Sequence, residues 1–427
     1  MSAALHGDRE TALSDVGAIL EEDPGRAIAM LLLGRLLGEL KRLELAKRAL
    51  SVALDLALLE GSLPISIATF IELKRFKFES MNAAARIATY FARDSRHLLA
   101  QGAVPPALAR RRLSVIPAPS KMVGEELIAH LSNLVTAGEA RTNELTTEHR
   151  VPRHALLSSL DENGLKLTLE ALDSVWVDTG TTVVTEGEPG QEAFIVARGE
   201  LDVVRRTATE NAMVLARLGS GALFGEMALL SRATRAASVV AIRPSLLLLA
   251  RSDALASVVE RQSDVGAVLA DYCRRRMVDN LLRTSKILGS IEPKERPELV
   301  KRFITRSFEA GERLITQGKD SEGLHLIASG EVVVVHQDGN EKTVVANLTV
   351  GEVVGEISLV LRRPASAHVI ANVPTISLHL PQSEFLGVVK RYPELLSHLY
   401  TLAVERDVLT SSIVAQEAAE AEDLVLL

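Results

Sequence analysis

The chain has 427 residues, 47% of them hydrophobic, and a formal net charge of −7 with a pI near 5.9. This length exceeds one ordinary hydrophobic core and predicts two to four domains, while the acidic balance argues against a nucleic-acid-binding protein. A single cysteine excludes an internal disulfide, no apolar run is long enough for a membrane span, and the N-terminus lacks the pattern of a signal peptide, so we expect a cytoplasmic protein.

Residues 1–100 are predicted to form a helical region, because apolar residues recur three or four apart. One stretch fits a helical-hairpin repeat of about 34 residues. It has small and apolar residues at the required positions: Leu33, Gly34, Leu37, Ala46, Leu50 and Ala53. The pattern resembles a tetratricopeptide unit, in which small residues such as Gly34 and Ala46 let two antiparallel helices approach closely. A generic helical bundle remains the alternative.

Residues 101–150 are predicted to form a linker followed by a helix. The prolines at 105, 106, 117 and 119 interrupt helices and favour extended backbone. Between them lies the basic run Arg110-Arg111-Arg112-Leu113-Ser114. This run resembles the inhibitor or substrate segment of protein kinase A regulatory subunits, and the alternative is an ordinary solvated loop.

Two later stretches of the chain repeat each other. Three glycines recur 131 residues further on, namely Gly180, Gly187 and Gly199 as Gly311, Gly318 and Gly330. The pair Gly225-Glu226 recurs 130 residues further on as Gly355-Glu356, which indicates one deletion between Gly330 and Gly355. Short alternating strands with glycine turns predict a β-barrel in each copy, at residues 151–283 and 284–427, each ending in a helix.

Residues 224–239 read Phe-Gly-Glu-Met-Ala-Leu-Leu-Ser-Arg-Ala-Thr-Arg-Ala-Ala-Ser-Val. The string resembles the phosphate-binding cassette of cyclic nucleotide-binding domains, so the fold class we expect is multidomain α+β, with an all-α hairpin region followed by two β jelly-roll barrels with flanking helices. The resemblance implies that the first barrel binds its ligand through eight cassette residues: Phe224, Gly225, Glu226, Met227, Ala228, Arg235, Ala236 and Ala237.

The chemistry of these residues suits a cyclic nucleotide. A carboxylate at Glu226 can accept a hydrogen bond from the ribose 2′-hydroxyl, and the guanidinium of Arg235 matches two phosphate oxygens. A small Ala228 would let the phosphate come close to a helix N-terminus. Family members selective for cGMP tend to carry Thr directly after the cassette arginine, where this chain has Ala236, so the resemblance implies cAMP more than cGMP.

The second copy keeps the frame but carries Ala365 where the first has Arg235. Losing a charge-assisted contact to a buried phosphate costs on the order of 2–4 kcal/mol, so we expect this barrel to serve packing, dimerisation or partner contact. A surrogate arginine two residues earlier is the alternative. The possible second site then comprises Gly355, Glu356, Ser358 and Arg363.

The sequence contains no signature of a common enzyme class, and His325 and His368 are isolated along the chain, so we expect neither a catalytic residue, nor a metal, nor a cofactor. The short acidic stretch after the second barrel does not suit a DNA-binding domain. We expect a cAMP-responsive regulatory or adaptor protein that contacts a protein partner through residues 8–150 and that could self-associate. The alternatives are a structural scaffold with non-sensing barrels and a kinase regulatory subunit.

Overall fold

The computed structural model describes residues 9–100, 122–142, 149–206, 212–226, 235–284, 291–292, 294–295, 298–299 and 301–425. The chain divides into two compact units, each described here by itself. The first comprises Met1–Thr185, Glu192–Glu226 and Ala237–Leu269. The second comprises Glu186–Gln191, Met227–Ala236 and Ala270–Leu427. In the described part of the chain, no helix is long and apolar enough to cross a membrane.

The first unit begins with helices, as predicted. They are α1 (Arg9–Glu22), α2 (Ala27–Glu39), α3 (Leu43–Leu59), α4 (Leu63–Arg75), α5 (Ser80–Phe91), α6 (Gly124–Thr142) and, after a 3₁₀ turn at Leu157–Ser159, α7 (Glu162–Glu170). Very short connections join α2 to α3 and α4 to α5, so these helices form hairpins.

Glycines set the distance between these helices. A Cβ placed on Gly34 of α2 would lie 2.6 Å from Cγ and 3.1 Å from the backbone nitrogen of Leu50 on α3. A Cβ on Gly138 of α6 would lie 2.7 Å from Cε of Met30 and 3.0 Å from Cγ1 of Val52. The helix predicted between residues 121 and 150 therefore packs onto the N-terminal hairpins.

The first barrel follows within the same unit. Its strands are β1 (Leu172–Val177), β2 (Thr182–Val184), β3 (Glu192–Arg198), β4 (Leu201–Arg206), β5 (Ala212–Leu218), β6 (Leu223–Phe224), β7 (Ser238–Ala241) and β8 (Ser245–Arg251). They form two antiparallel sheets, in the orders β1-β8-β3-β6 and β2-β7-β4-β5. Apolar side chains such as Val196, Leu201 and Leu247 fill the core. Helices α8 (Ser252–Arg261) and α9 (Ser263–Thr284) follow.

The second barrel repeats this arrangement. Its strands are β9 (Ile304–Phe308), β10 (Arg313–Ile315), β11 (Gly323–Ser329), β12 (Val332–Asp338), β13 (Glu341–Leu348), β14 (Val353–Val354), β15 (His368–Ala371) and β16 (Thr375–Pro381). The sheet orders β9-β16-β11-β14 and β10-β15-β12-β13 match those of the first barrel. Helix α10 (Glu356–Leu361) lies in the second cassette, and α11 (Gln382–Arg391) and α12 (Pro393–Val425) follow the last strand. The predicted α+β architecture with two barrels is confirmed.

Corresponding strands also share their irregularities. The bulge at Val203/Val204 in β4 recurs at Val334/Val335 in β12. In the β12–β13 hairpin of the second barrel, Gln337 pairs with Lys342 and four residues separate them, whereas the equivalent pair of the first barrel, Arg206 and Ala212, is separated by five. The one-residue deletion inferred from the sequence therefore falls at this hairpin and leaves the paired ladders intact.

Candidate functional site

The first cassette begins at the end of β6. The ring of Phe224 is buried and stacks on that of Phe194 in the neighbouring strand, with centroids 5.0 Å apart. Gly225 has a φ of +73°, a conformation that a residue with a Cβ rarely adopts. Glu226 follows this turn and is only 6% exposed. A buried carboxylate at this position is a suitable acceptor for a ligand hydroxyl.

Arg235 is held by the loop between β2 and β3. The backbone N–H of Gly187 donates to the carbonyl of Arg235 at 2.9 Å, and the N–H of Arg235 donates to the carbonyl of Glu188 at 2.8 Å. The guanidinium lies against Gly190, where an added Cβ would be 2.2 Å from both Cζ and Nε of Arg235. The loop thus positions both the backbone and the charged end of this arginine, whose fork suits two phosphate oxygens.

Two further residues of the first cassette come directly after this arginine in the chain. Ala236 is exposed and Ala237 is half-buried, and both lead into β7. Both side chains are small, which is compatible with the ligand contact that the resemblance of the cassette implies. Met227 and Ala228 lie outside the described residues.

In the second cassette, Gly355 and Glu356 form the corresponding turn. Gly355 has a φ of +90°, and a Cβ there would lie 2.5 Å from the carbonyl oxygen of Gly323. The Glu356 carboxylate, 2% exposed, accepts a hydrogen bond from Nη1 of Arg406 on α12 at 2.9 Å. The same nitrogen donates to the carbonyl of Val353 at 2.5 Å. Burial raises the pKa of Glu356 above its ordinary value, and the Arg406 guanidinium opposes that shift.

A cavity of about 330 Å³ opens beside this carboxylate. Its wall is mainly apolar and includes Ile315, Val334, Leu348, Val369 and Leu402. The polar lining includes Glu356, Arg406 and Ser358, and Ser358 is itself buried. The volume lies within the range of small-molecule pockets, at its lower end.

Ala365 occupies the backbone position that Arg235 has in the first barrel. The N–H of Gly318 donates to the carbonyl of Ala365 at 2.9 Å, and the N–H of Ala365 donates to the carbonyl of Lys319 at 2.9 Å. These two bonds correspond to those of Arg235. The methyl group of Ala365 is buried in the apolar cluster of the barrel and offers no charge to an anion.

Arg363, the alternative arginine, lies elsewhere. Its guanidinium forms an ion pair with Asp407 on α12, and the cavity beside Glu356 is lined by other residues. Asp407 raises the pKa of Arg363 by accepting its hydrogen bond. The structure therefore brings Gly355, Glu356 and Ser358 to the cavity and directs Arg363 to the C-terminal helix.

Sequence reasoning missed two residues. Arg406 carries no motif and comes 50 residues after Glu356, so its contact depends on how α12 packs. Ser321 stands where the glycine series would place a counterpart of Gly190. That break in the repeat was visible in the sequence and was the signal that could have identified it.

The model of the cyclic nucleotide-binding domain family matches residues 174–262 and 305–392. Each matched stretch contains the cassette and most strands of one barrel. The chain has two cyclic nucleotide-binding domains in tandem. The resemblance inferred from the cassette is thereby confirmed.

Among curated proteins, the chain is 29% identical over 270 residues to a cAMP-dependent protein kinase regulatory subunit of Yarrowia lipolytica, a match that covers 62% of this chain and 67% of the relative. Similar solved structures include the regulatory domain of Toxoplasma gondii PKA with cAMP, at 26% identity and a TM-score of 0.29, covering 59% of this chain and 92% of that one. Another is the regulatory subunit of a cAMP-independent protein kinase A from Trypanosoma brucei, at 22% identity and a TM-score of 0.29. That match covers 58% of this chain and 84% of the other. The matched domain family and the curated relative are both non-catalytic.

Proposed function

We propose that the first barrel binds cAMP and that the protein is a cAMP-responsive regulatory protein acting through contact with a protein partner. The observation that carries this proposal is the arrangement of Arg235, whose backbone and guanidinium are both held by the loop of Gly187 to Gly190. An arginine positioned before the ligand arrives loses less entropy on binding a phosphate.

The other end of the first cassette supports the same ligand. Glu226 follows the turn at Gly225, is buried, and can accept a hydrogen bond from the ribose hydroxyl. Ala236 directly follows the arginine, whereas the family's cGMP-selective members tend to have Thr there. We therefore expect cAMP to bind more tightly than cGMP.

The second barrel takes no part in cAMP sensing. Ala365 supplies no cation at the arginine position, and the Glu356 carboxylate is engaged by Arg406. The expected stoichiometry is therefore one cAMP per chain.

Calorimetric titration of the full chain with cAMP tests the proposal. Arg235→Ala should weaken binding at least tenfold, because one charge-assisted hydrogen bond contributes about 1.5–3 kcal/mol. The matched control is Arg243→Ala, which removes the same charge from the same barrel at an exposed side chain paired with Glu200. Absence of saturable cAMP binding to the wild type, or equal affinity of Arg235→Ala and wild type, would refute it and favour a scaffold whose barrels sense no ligand.

A kinase regulatory subunit is the second candidate, and the curated relative favours it. The basic segment 110–114, which lies outside the described residues, would occupy the kinase's substrate site. The test mixes the full chain with a catalytic subunit of cAMP-dependent protein kinase. Inhibition that cAMP relieves, and that is lost when Arg110, Arg111 and Arg112 are changed to Ala, supports this candidate. Unchanged kinase activity points instead to another partner, which we place on residues 8–150.

A further inference from the structure

The position next to the cassette arginine differs between the barrels. In the first barrel it is Gly190, and a Cβ there would lie 2.2 Å from Cζ and Nε of Arg235 and 2.6 Å from Nη2. Contacts this short are not tolerated, so any side chain at residue 190 must displace the guanidinium. Because an arginine side chain is flexible, this displacement would move the positive charge of Arg235 without changing the backbone fold.

In the second barrel the corresponding residue is Ser321. Its hydroxyl is buried, donates to the carbonyl of Gly323 at 2.7 Å and accepts from the N–H of Gly323 at 3.3 Å. A Cβ on the cassette glycine Gly355 would lie 3.0 Å from this hydroxyl. The serine is therefore fixed beside the cassette turn of the second barrel.

The backbone bonds establish that the two positions correspond. Gly187 and Gly318 bind the carbonyls of Arg235 and Ala365 in the same way, and β3 and β11 both begin a few residues later. The two barrels thus contain two alternative pairs, glycine with arginine and serine with alanine.

We propose that this neighbouring position decides whether a cassette can hold its arginine against an anion, so that Gly190 is a positioning residue for Arg235. The second barrel accordingly differs at two coupled sites, Ser321 and Ala365, and the arginine alone would not restore its anion site. The inference rests on the proposed cAMP function of the first barrel.

Calorimetry with cAMP on the full chain tests the first barrel. Gly190→Ser and Gly190→Ala should each lose affinity at least tenfold with an unchanged melting temperature. Combining Gly190→Ser with Arg235→Ala should add little further loss, because both changes remove one interaction. The matched control is Gly219→Ser, since a Cβ at Gly219 meets nothing within 4 Å, and it should bind as the wild type does.

The outcomes separate this inference from the proposed function. If the wild type binds no cAMP, the proposed function fails. If the wild type binds, Arg235→Ala does not, and Gly190→Ser binds as tightly as the wild type, the positioning role is overturned. Additive losses in the double variant also overturn it, because they assign the effect of residue 190 to something other than Arg235.

A measurement without ligand tests the second barrel. Ala365→Arg should lower the melting temperature, because the new side chain meets Ser321. In the wild-type background, Ser321→Gly should lower the melting temperature, because it removes buried hydrogen bonds. In the Ala365→Arg background, the same change should raise the melting temperature. If Ser321→Gly lowers both by the same amount, the two sites are uncoupled and the inference is wrong.

Discussion

Arg406 on the C-terminal helix donates a 2.9 Å hydrogen bond to the Glu356 carboxylate of the second cassette. The corresponding carboxylate in the first cassette, Glu226, is the one expected to accept a ligand hydroxyl. The second barrel therefore binds part of its own chain at the position where its sister barrel is expected to bind the nucleotide. Arg406 thus connects α12 both to β14, through the carbonyl of Val353, and to the turn after that strand, through Glu356.

Arg406→Ala should destabilise the protein by about 3–5 kcal/mol, because it leaves a buried carboxylate without its partner. Thermal or denaturant unfolding measures the loss. Arg391→Ala is the matched control, since Arg391 is half-exposed and its Nη2 lies 3.6 Å from Oε1 of Glu295. Such surface ion pairs contribute about 0–1 kcal/mol to the free energy of unfolding. Glu356→Gln in the Arg406→Ala background should recover part of the stability, and no recovery would contradict the argument.

The same variant should respond to pH. Burial raises the pKa of Glu356, and the opposing Arg406 guanidinium is absent in Arg406→Ala. The folded protein then takes up this proton more readily than the unfolded chain does. The stability deficit of the variant should therefore shrink as pH falls towards 4.5, the ordinary pKa of a glutamate. A deficit independent of pH would show that the lost contact is not electrostatic.

A buried histidine pair should make β11 and β16 sensitive to acid. Burial, followed by the charges of His379 and Arg306, lowers the pKa of His325 to about 3. The ring centroids of His325 and His379 lie 4.4 Å apart, and Nδ1 of His325 lies 2.9 Å from Oγ of Ser377. Since the unfolded chain binds this proton below pH 6.5, the stabilisation is complete above that pH. It is lost as pH falls from 6.5 towards 3, by at most about 1.4 kcal/mol per pH unit.

The first barrel has Phe194 at the position of His325, so His325→Phe is the natural variant for this test. In His325→Phe, the hydrogen exchange of the β11 amides, corrected for the intrinsic rate, should depend less on pH between 6.5 and 4 than it does in the wild type. The exposed His398→Ala serves as the control and should keep the wild-type dependence. An unchanged dependence in His325→Phe would assign the acid sensitivity to another group.

Gly34→Ala should destabilise the N-terminal hairpins by about 1–3 kcal/mol, because its Cβ would lie 2.6 Å from Cγ of Leu50. Gly387→Ala, in α11, is the matched control: its Cβ would meet only the flexible end of Arg302. A helix-interior Gly→Ala change without a clash stabilises by about 0.5–1 kcal/mol. Opposite shifts in melting temperature are expected, and stabilisation by both changes would contradict the close packing of α2 on α3.

Binding of cAMP should alter regions beyond the first cassette. A regulatory protein that works through contact must couple its ligand to a partner surface, typically by about 1–3 kcal/mol. Hydrogen exchange with and without cAMP should therefore change in residues 8–150 and 255–283. Arg235→Ala is the control and should show no change. Protection confined to residues 180–240 would favour the scaffold alternative.

The duplicated barrels could be predicted because their glycines are constrained by the backbone. Gly187 and Gly318 have φ values of +83° and +77°, and Gly225 and Gly355 have +73° and +90°. Only glycine adopts these angles at low cost, so both copies keep it and the repeat remains visible in the sequence. The hairpin contact of Gly34 with Leu50 was predictable for a similar reason, since close approach of helices requires a small residue.

The engagement of Glu356 could not be predicted in this way. Arg406 lies on a helix whose rotation is decided by apolar contacts of residues such as Leu395 and Leu399 with the barrel. Neither the charge nor the spacing of Arg406 indicates its partner. The ion pair of Arg363 with Asp407 depends on the same helix, and the sequence left the direction of that arginine open.

The one-residue length difference between the barrels lies at a hairpin outside the paired ladders, so corresponding strands keep the same register. A contiguous segment from β5 to β7 could be exchanged for that from β13 to β15 without shifting the bulge at Val203/Val204 or Val334/Val335. Such a chimera would carry the whole first cassette into the second barrel. It would nevertheless set Arg235 against Ser321, because the loop before β11 belongs to a different stretch of chain. Recombination within this gene can therefore move a cassette while leaving behind the residue that makes room for its arginine.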